Sequence, residues 1–239
     1  MTFWPLAPAE LPMLDQSVHV WAVRLDDGSV DLGQAREFIS ANERQRAERF
    51  KFERDRRRYL IAHAALHALL SRYLPVGSGP LSFDYGSNGK PKLSQALAPA
   101  SVKFNLSHSN ELALLAVTRG GEVGVDIEYV KENFEFQDIA EKFFTAKEVA
   151  AIRSLPVDLQ RQAFFKCWTS KEAFLKAKGT GLSGKLDEVE IAVTATQEVQ
   201  VTAGVPGWSL AELAPIDGYE AALVVEGLPL PIKHYLWHS

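Results

Sequence analysis

The chain has 239 residues, 46% hydrophobic and 23% charged, with a net charge of −4, and suits one large globular domain or two of about 120 residues each. The acidic total argues against general nucleic-acid binding but permits a local anion site. The single cysteine, Cys167, excludes an internal disulfide and a cysteine-rich zinc centre. No apolar run reaches the ~20 residues of a membrane span, and no basic stretch leads an apolar one at the N-terminus, so a cytoplasmic protein is expected.

Residues 1–17 carry three prolines and read as an extended lead-in. A strand is expected over 19–25, then a turn at Asp26-Asp27-Gly28-Ser29. Ser40 and Glu43 have capping-box spacing, which starts a helix. The run 44–59 holds eight cations, among them Arg46 and Arg58. Some face solvent, yet the clustering in an acidic chain suits a polyphosphate or an acidic partner, because guanidinium pairs with phosphate oxygens. Residues 59–74 form a buried helix stopped by Pro75. His63 and His67 lie four apart but lack a third ligand, so they are assigned to packing or surface.

A strand over 81–85 leads to a turn ending in Lys90. Residues 102–106 are a strand running into Asn105-Leu106-Ser107-His108-Ser109, whose polar groups could bind phosphate or satisfy a turn. An apolar strand spans 112–117. In Gly124-Val125-Asp126-Ile127-Glu128 acidic and apolar residues alternate, which puts Asp126 and Glu128 on one face. That face is either a wet surface or a seat for a hard cation such as magnesium, which takes one or two carboxylates plus phosphates and water.

Thr145 and Glu148 cap another helix, and Pro156 opens a long one. Within the long helix Glu172 and Lys176 share a face, crowded by Phe164, Phe165, Trp168, Phe174 and Leu175 and closed at Gly179. Cys167 falls here as a small core residue. Strands over 188–194, 208–213, 219–225 and 234–237 follow, with no catalytic constellation.

Three stretches together, Asn105-Leu-Ser-His-Ser109, Gly124-Val-Asp-Ile-Glu128 and Trp168-Thr-Ser-Lys-Glu-Ala-Phe-Leu-Lys176, resemble the signature motifs of 4′-phosphopantetheinyl transferases. Lys178-Gly-Thr-Gly-Leu182 is similar to that family's usual continuation. The length resembles the large, monomeric Sfp-type branch. The resemblance implies an α+β fold of two similar subdomains about a pseudo-twofold, divided here as 1–119 and 120–239, with coenzyme A in the cleft between them. It implies transfer of 4′-phosphopantetheine from coenzyme A to a serine of an acyl or peptidyl carrier protein, releasing 3′,5′-ADP. Carriers of polyketide, nonribosomal-peptide or fatty-acid synthases are the implied partners, with neither nucleic acid nor membrane. Asp126, Glu128 and Glu172 match the Mg2+ ligands (Mn2+ as the alternative), Glu172 also matches a group that helps remove the serine proton, and Lys176 matches a lysine near the diphosphate. Arg46, Arg58, Lys90, Ser107 and His108 match contacts to coenzyme A. The chain departs from the family at Glu43 and Tyr59, where a lysine and a threonine are often found.

A carboxylate bound to a metal is a poor base, so Glu148, or a water beside Glu172, is an alternative base. Phe134 and Phe136 are a candidate carrier-docking surface, and Phe143 and Phe144 are expected in the core. Two rivals remain open: a magnesium-dependent phosphohydrolase using the same carboxylates, and a module that binds coenzyme A or a carrier without turnover.

Overall fold

A computed structural model describes residues 4–12, 14, 17–74, 80–86, 88–94, 101–181, 186, 189–195 and 199–238. β1 (Val18–Arg24) is followed by α1 (Leu32–Glu37), α2 (Ala41–Ala47), α3 (Glu53–Ser71), β2 (Phe83–Tyr85), β3 (Pro91–Leu93), β4 (Val102–Ser109) and β5 (Leu112–Arg119). The second half contains β6 (Val123–Tyr129), α4 (Gln137–Phe143), α5 (Ala146–Ser154), α6 (Val157–Lys178), β7 (Ile191–Ala195), β8 (Val199–Ala203), β9 (Trp208–Leu213), β10 (Tyr219–Glu226) and β11 (Ile232–Leu236). Among the described residues no helix is long and apolar enough to cross a membrane.

Two sheets stand face to face. The first has the order β11-β1-β5-β4, and the second β6-β10-β9. Strand alternation divides their side chains among three cores. On β5, Ala113, Leu115 and Val117 face α3 with Trp21 and Val23 of β1. Leu112, Leu114 and Ala116 face the other way, with Val18 and Val20, against Val123, Val125 and Ile127 of β6 and Leu223 of β10. The remaining face of the second sheet, with Ala222 and Val224, meets α6 and its Phe164 and Phe174. This sharing explains why β5 is apolar almost without interruption: both of its faces are buried. Each half thus lays one long helix across one sheet, the expected two-subdomain α+β arrangement. β11 pairs in parallel with β1 (Val18 opposite Ile232), so the chain returns past residue 119 to complete the first sheet.

The boundaries differ from expectation in informative places. The capping box at Ser40 and Glu43 forms, but its helix is short: Arg49 and Phe50 turn tightly onto the carbonyls of Arg46 and Ala47. A separate helix starts at Glu53 and takes in the later part of the basic stretch, from Arg54 to Arg58, together with the apolar one. It ends at Ser71, ahead of Pro75, which lies outside the described residues together with Glu188 of the expected 188–194 strand. β4 runs on through Ser109 and turns at Asn110, where φ is +49°, so Ser107 and His108 are strand residues that point to opposite faces. The cap at Gly179 is left-handed, as read.

Candidate active site

The two subdomains meet along β4 and β6 through side chains. Asn105 Oδ1 accepts the Val125 N–H at 2.8 Å. Ser107 Oγ donates to Asp126 Oδ1 at 2.9 Å. Ser109 Oγ donates to Glu128 Oε2 at 2.7 Å and accepts the Tyr129 N–H. Every second residue of β4 is polar for this reason, and the period of two delivers Asp126 and Glu128 to the same face. Gly124 shares that face and lets α6 lie directly on the strand: a Cβ there would sit 2.1 Å from the Ala173 carbonyl oxygen.

That close approach brings Glu172 and Lys176 over the strand acids. The Lys176 ammonium donates to Asp126 Oδ1 at 2.5 Å and to Ser107 Oγ at 2.7 Å. Asp126 and Glu172 are buried. Burial and then the charge of Asp126 push the Glu172 carboxyl up to about 7, with Lys176 opposing and Glu128 adding to the rise. Burial also raises Glu128, partly offset by its bond from Ser109. The three acids therefore feel one another electrostatically, although among the described residues no three His, Cys, Asp or Glu stand in metal-holding geometry. Among the described residues, Asp126 Oδ2 and Glu172 Oε1 are buried without a hydrogen-bond partner. Two orphaned carboxylate oxygens amid excess negative charge are what a hard cation satisfies, so the donor set fits a divalent ion.

A cleft of about 530 Å3 opens beside these groups, lined by Lys90, Asn105, Leu106, Glu172 and Lys176. A second pocket of about 510 Å3 is lined by Glu43, Arg46, Arg49, Phe50, Tyr59 and Tyr85. His108 feels the charges of Lys176 in the first and of Arg46 in the second. Its ring is open to solvent on one side, but the protein crowding around it, and then the charges of His63, Lys176, Arg46 and Arg58, lower its pKa. The cations Arg46 of α2, Arg58 of α3 and Lys176 of α6 thus act on one imidazole, an electrostatic seat for an anion.

The remaining assignments divide. Arg58 donates to Asn110 Oδ1 and Glu111 Oε1, leaving part of its guanidinium for another acceptor. Lys90 spends three donors on Glu122 Oε2 and the carbonyls of Val123 and Ala177, so it fastens the cleft wall. Of the other cations in the basic run, Arg44 and Arg57 bind backbone carbonyls, whereas Arg46 and Arg49 line the second pocket. Glu148 is corrected as a base: it is 1% exposed, and Lys171 lies 2.8 Å away. Phe136 is corrected as a docking residue, since it is buried against Phe164, whereas Phe134 packs on Phe164 but stays partly exposed. Phe144 is core, as expected. The sequence reading missed the connection of Glu43 to His63 and His67, because a capping-box glutamate already seems explained.

A helix-backed sheet pair enclosing a cationic cleft, with clustered carboxylates and a lysine at one end, defines a protein built to handle a phosphorylated ligand. The 4′-phosphopantetheinyl transferase superfamily model matches residues 122–224, and the 4′-phosphopantetheinyl transferase N-terminal model matches residues 28–120. The chain is 40% identical to the 4′-phosphopantetheinyl transferase HetI of Nostoc sp. (strain PCC 7120) over 98% of each chain. It is 36% identical to 4′-phosphopantetheinyl transferase psf-1 of Bacillus pumilus over 66% of each. With 4′-phosphopantetheinyl transferase Sfp of Bacillus subtilis (strain 168) the identity is 30%, over 69% of this chain and 70% of the relative. The chain belongs to the 4′-phosphopantetheinyl transferase family, in its large Sfp-type branch.

Proposed function

We propose that this protein transfers 4′-phosphopantetheine from coenzyme A to the serine hydroxyl of an acyl or peptidyl carrier protein, with Mg2+ as the preferred ion, and that it works as a monomer in the cytoplasm. The carrying observation is the Lys176 ammonium fixed between Ser107 and Asp126, beside two buried carboxylate oxygens that lack partners among the described residues. Asp126, Glu128 and Glu172 would hold the ion. When bound, it would supply a positive field for the charge that grows on the departing oxygen.

The chain's own groups do the rest. The serine oxygen bonds to the phosphorus that carries pantetheine, the bridging P–O bond of the diphosphate breaks, and 3′,5′-ADP leaves with the electron pair. Lys176 faces that leaving charge at the cleft. Ser107 and Asp126 prevent the ammonium from swinging away, so little reorganisation is needed at the moment of transfer. Glu172, a weak base once it holds the ion, is suited to take the serine proton through a water that it positions. Arg46, Arg58 and His108 hold the remaining phosphate charge, and Lys90 keeps the wall in place.

Intact-mass spectrometry of apo carrier proteins, after incubation with coenzyme A and magnesium, tests this. A carrier heavier by one phosphopantetheinyl group is expected. Coenzyme A cleaved with the carrier unmodified would make the protein a hydrolase, and coenzyme A bound but intact after hours would make it a binding module.

A further inference from the structure

Tyr219 takes no part in the chemistry above, yet its hydroxyl reaches from β10 into a turn of the other subdomain. That turn joins β4 to β5 through two residues, Asn110 and Glu111, between the paired Ser109 and Leu112. Asn110 takes a φ of +49° and Glu111 stays negative. A hairpin turn of this kind favours glycine at its first position, so an asparagine there needs support, and it comes from three elements. Arg58 of α3 donates to Asn110 Oδ1 at 3.2 Å and to Glu111 Oε1 at 3.1 Å. The Glu111 carbonyl accepts the Leu25 N–H, at the end of β1, at 2.9 Å. The Glu111 N–H donates to the Tyr219 hydroxyl at 3.2 Å, and the Asn110 side chain bonds the same hydroxyl.

The turn matters because Ser109 stands immediately before it. Ser109 Oγ donates to Glu128 Oε2 at 2.7 Å and accepts the Tyr129 N–H at 3.1 Å. Fixing one oxygen of a carboxylate orients the other. Tyr219 also holds the glutamate's end of this link. It stands opposite Tyr129 on the ladder of β6 and β10, and the two rings meet edge-on with centroids 5.2 Å apart. The Gly218 carbonyl, one residue earlier, accepts the Val130 N–H at 2.8 Å. One side chain is thus tied to both partners of the bond between Ser109 and Glu128, to the serine through the turn and to the glutamate through the strand.

We infer that Tyr219 is a positioning residue for the divalent ion: through the Asn110-Glu111 turn it holds Ser109 against Glu128, and so sets the direction in which Glu128 offers its second oxygen. This rests on the reading of Asp126, Glu128 and Glu172 as the groups that hold the ion. A ligating side chain is aimed by the hydrogen bond behind it, and loss of that bond weakens the metal site. Asp126 is aimed separately, by Ser107 and Lys176. The effect of Tyr219 is therefore confined to the Glu128 side of the site, and it falls on the ion rather than on coenzyme A.

Tyr219→Phe removes the hydroxyl and keeps the ring. Titration of the full chain with Mn2+ in the presence of coenzyme A, followed by the electron paramagnetic resonance signal of the free ion, reads the ion's affinity directly. Calorimetry with coenzyme A and no divalent ion reads the rest of the cleft. Tyr219→Phe is expected to weaken Mn2+ about threefold to tenfold and to leave coenzyme A binding without the ion unchanged. Ser109→Ala is expected to weaken Mn2+ about tenfold or more. The double variant is expected to be no weaker than Ser109→Ala, because the hydroxyl acts through the serine. Unchanged Mn2+ affinity in Tyr219→Phe, an equal loss of coenzyme A affinity without the ion, or effects of the two changes that add, overturns the inference. A wild-type protein that takes up Mn2+ and coenzyme A but leaves carriers unmodified defeats the transferase reading alone. One that takes up no Mn2+ beside coenzyme A defeats the inference and the ion's place in the proposed chemistry together.

Discussion

Two residues next to each other on α6 have opposite fates. Lys171 is fully buried; it pairs with Glu148 and donates to the carbonyls of Leu186 and Val189 at 2.8 and 2.5 Å. Glu148 in turn accepts the backbone N–H groups of Thr145 and Ile191. The pair thereby locks α6, α5 and the start of β7 together and sets the rotation that points Glu172 at the cleft. Removing one partner leaves a buried unpaired charge, so Glu148→Ala should cost about 3–5 kcal/mol. The double change Glu148→Leu with Lys171→Met should cost less than either single one. Urea denaturation of the three variants measures this, and strict additivity would refute the coupling. Glu172 carries the opposite expectation: Glu172→Gln should lower the turnover number by about a hundredfold or more with coenzyme A binding retained. Unchanged turnover would remove it from the chemistry. From the sequence, Lys171 and Glu172 look alike, two charges on an aromatic helix. Only the packing of α5 and β7 separates the structural one from the one at the cleft.

At the scale of elements, the site depends on how closely α6 lies on β6. The contact is made at Gly124, where an added Cβ would meet the Ala173 carbonyl oxygen at 2.1 Å and the Ala177 nitrogen at 2.4 Å. Both are backbone atoms of a helix wedged over a sheet and cannot step aside. Gly124→Ala should therefore destabilise by about 3 kcal/mol, read as a lower urea midpoint, and should lower activity in the surviving folded protein because Lys176 and Asp126 are pushed apart. A variant of wild-type stability would show that the helix has room to move. The strand and the helix were each legible from period and caps: Asp126 and Glu128 on one face, Glu172 and Lys176 on another, Gly179 at the stop. That the acidic face of β6 is roofed by α6 and buried was not legible, since alternation fits a wet surface equally well. α1, α4 and β8 were not found because they are short, and their burial is decided by neighbours far away in sequence. Asp31, which caps α1 by accepting from Gly33 and Gln34, was the one local signal available.

At the scale of the whole molecule, the two sheets bury Leu114, Val125 and Leu223 against each other without a polar break, and the last strand closes the first sheet. A core shared in this way ties both halves into one unfolding event. His19 sits where the closure is made. It is fully buried on β1, across the ladder from Lys233 of β11, with Nδ1 2.9 Å from the Tyr73 hydroxyl. Its ring packs edge-on to Tyr235, and its Nε2 has no hydrogen-bond partner among the described residues. Burial first, and then the charge of Lys233, lower its pKa from 6.5 to about 4. The folded protein therefore keeps His19 neutral while the unfolded chain takes up a proton, so the group favours folding fully above pH 6.5. That contribution is lost as the pH falls toward about 4, a loss of up to about 3 kcal/mol. Glu43 adds a second acid-labile contribution, since its folded pKa lies far below the unfolded value of 4.5 and its stabilisation is lost as the pH falls below that value. Glu172, raised from 4.5 to about 7, works in the opposite sense over the same window, so the expected profile is nearly level from pH 6.5 to 4.5 and falls below 4.5. His19→Gln should leave the Glu172 contribution unopposed, so that stability rises as the pH falls from 6.5 toward 4.5, with far-UV circular dichroism and tryptophan fluorescence reporting one transition throughout. An unaltered slope between pH 6.5 and 4 would mean that His19 does not govern the closure. Separate transitions for the two probes would mean that the halves do not share their core energetically.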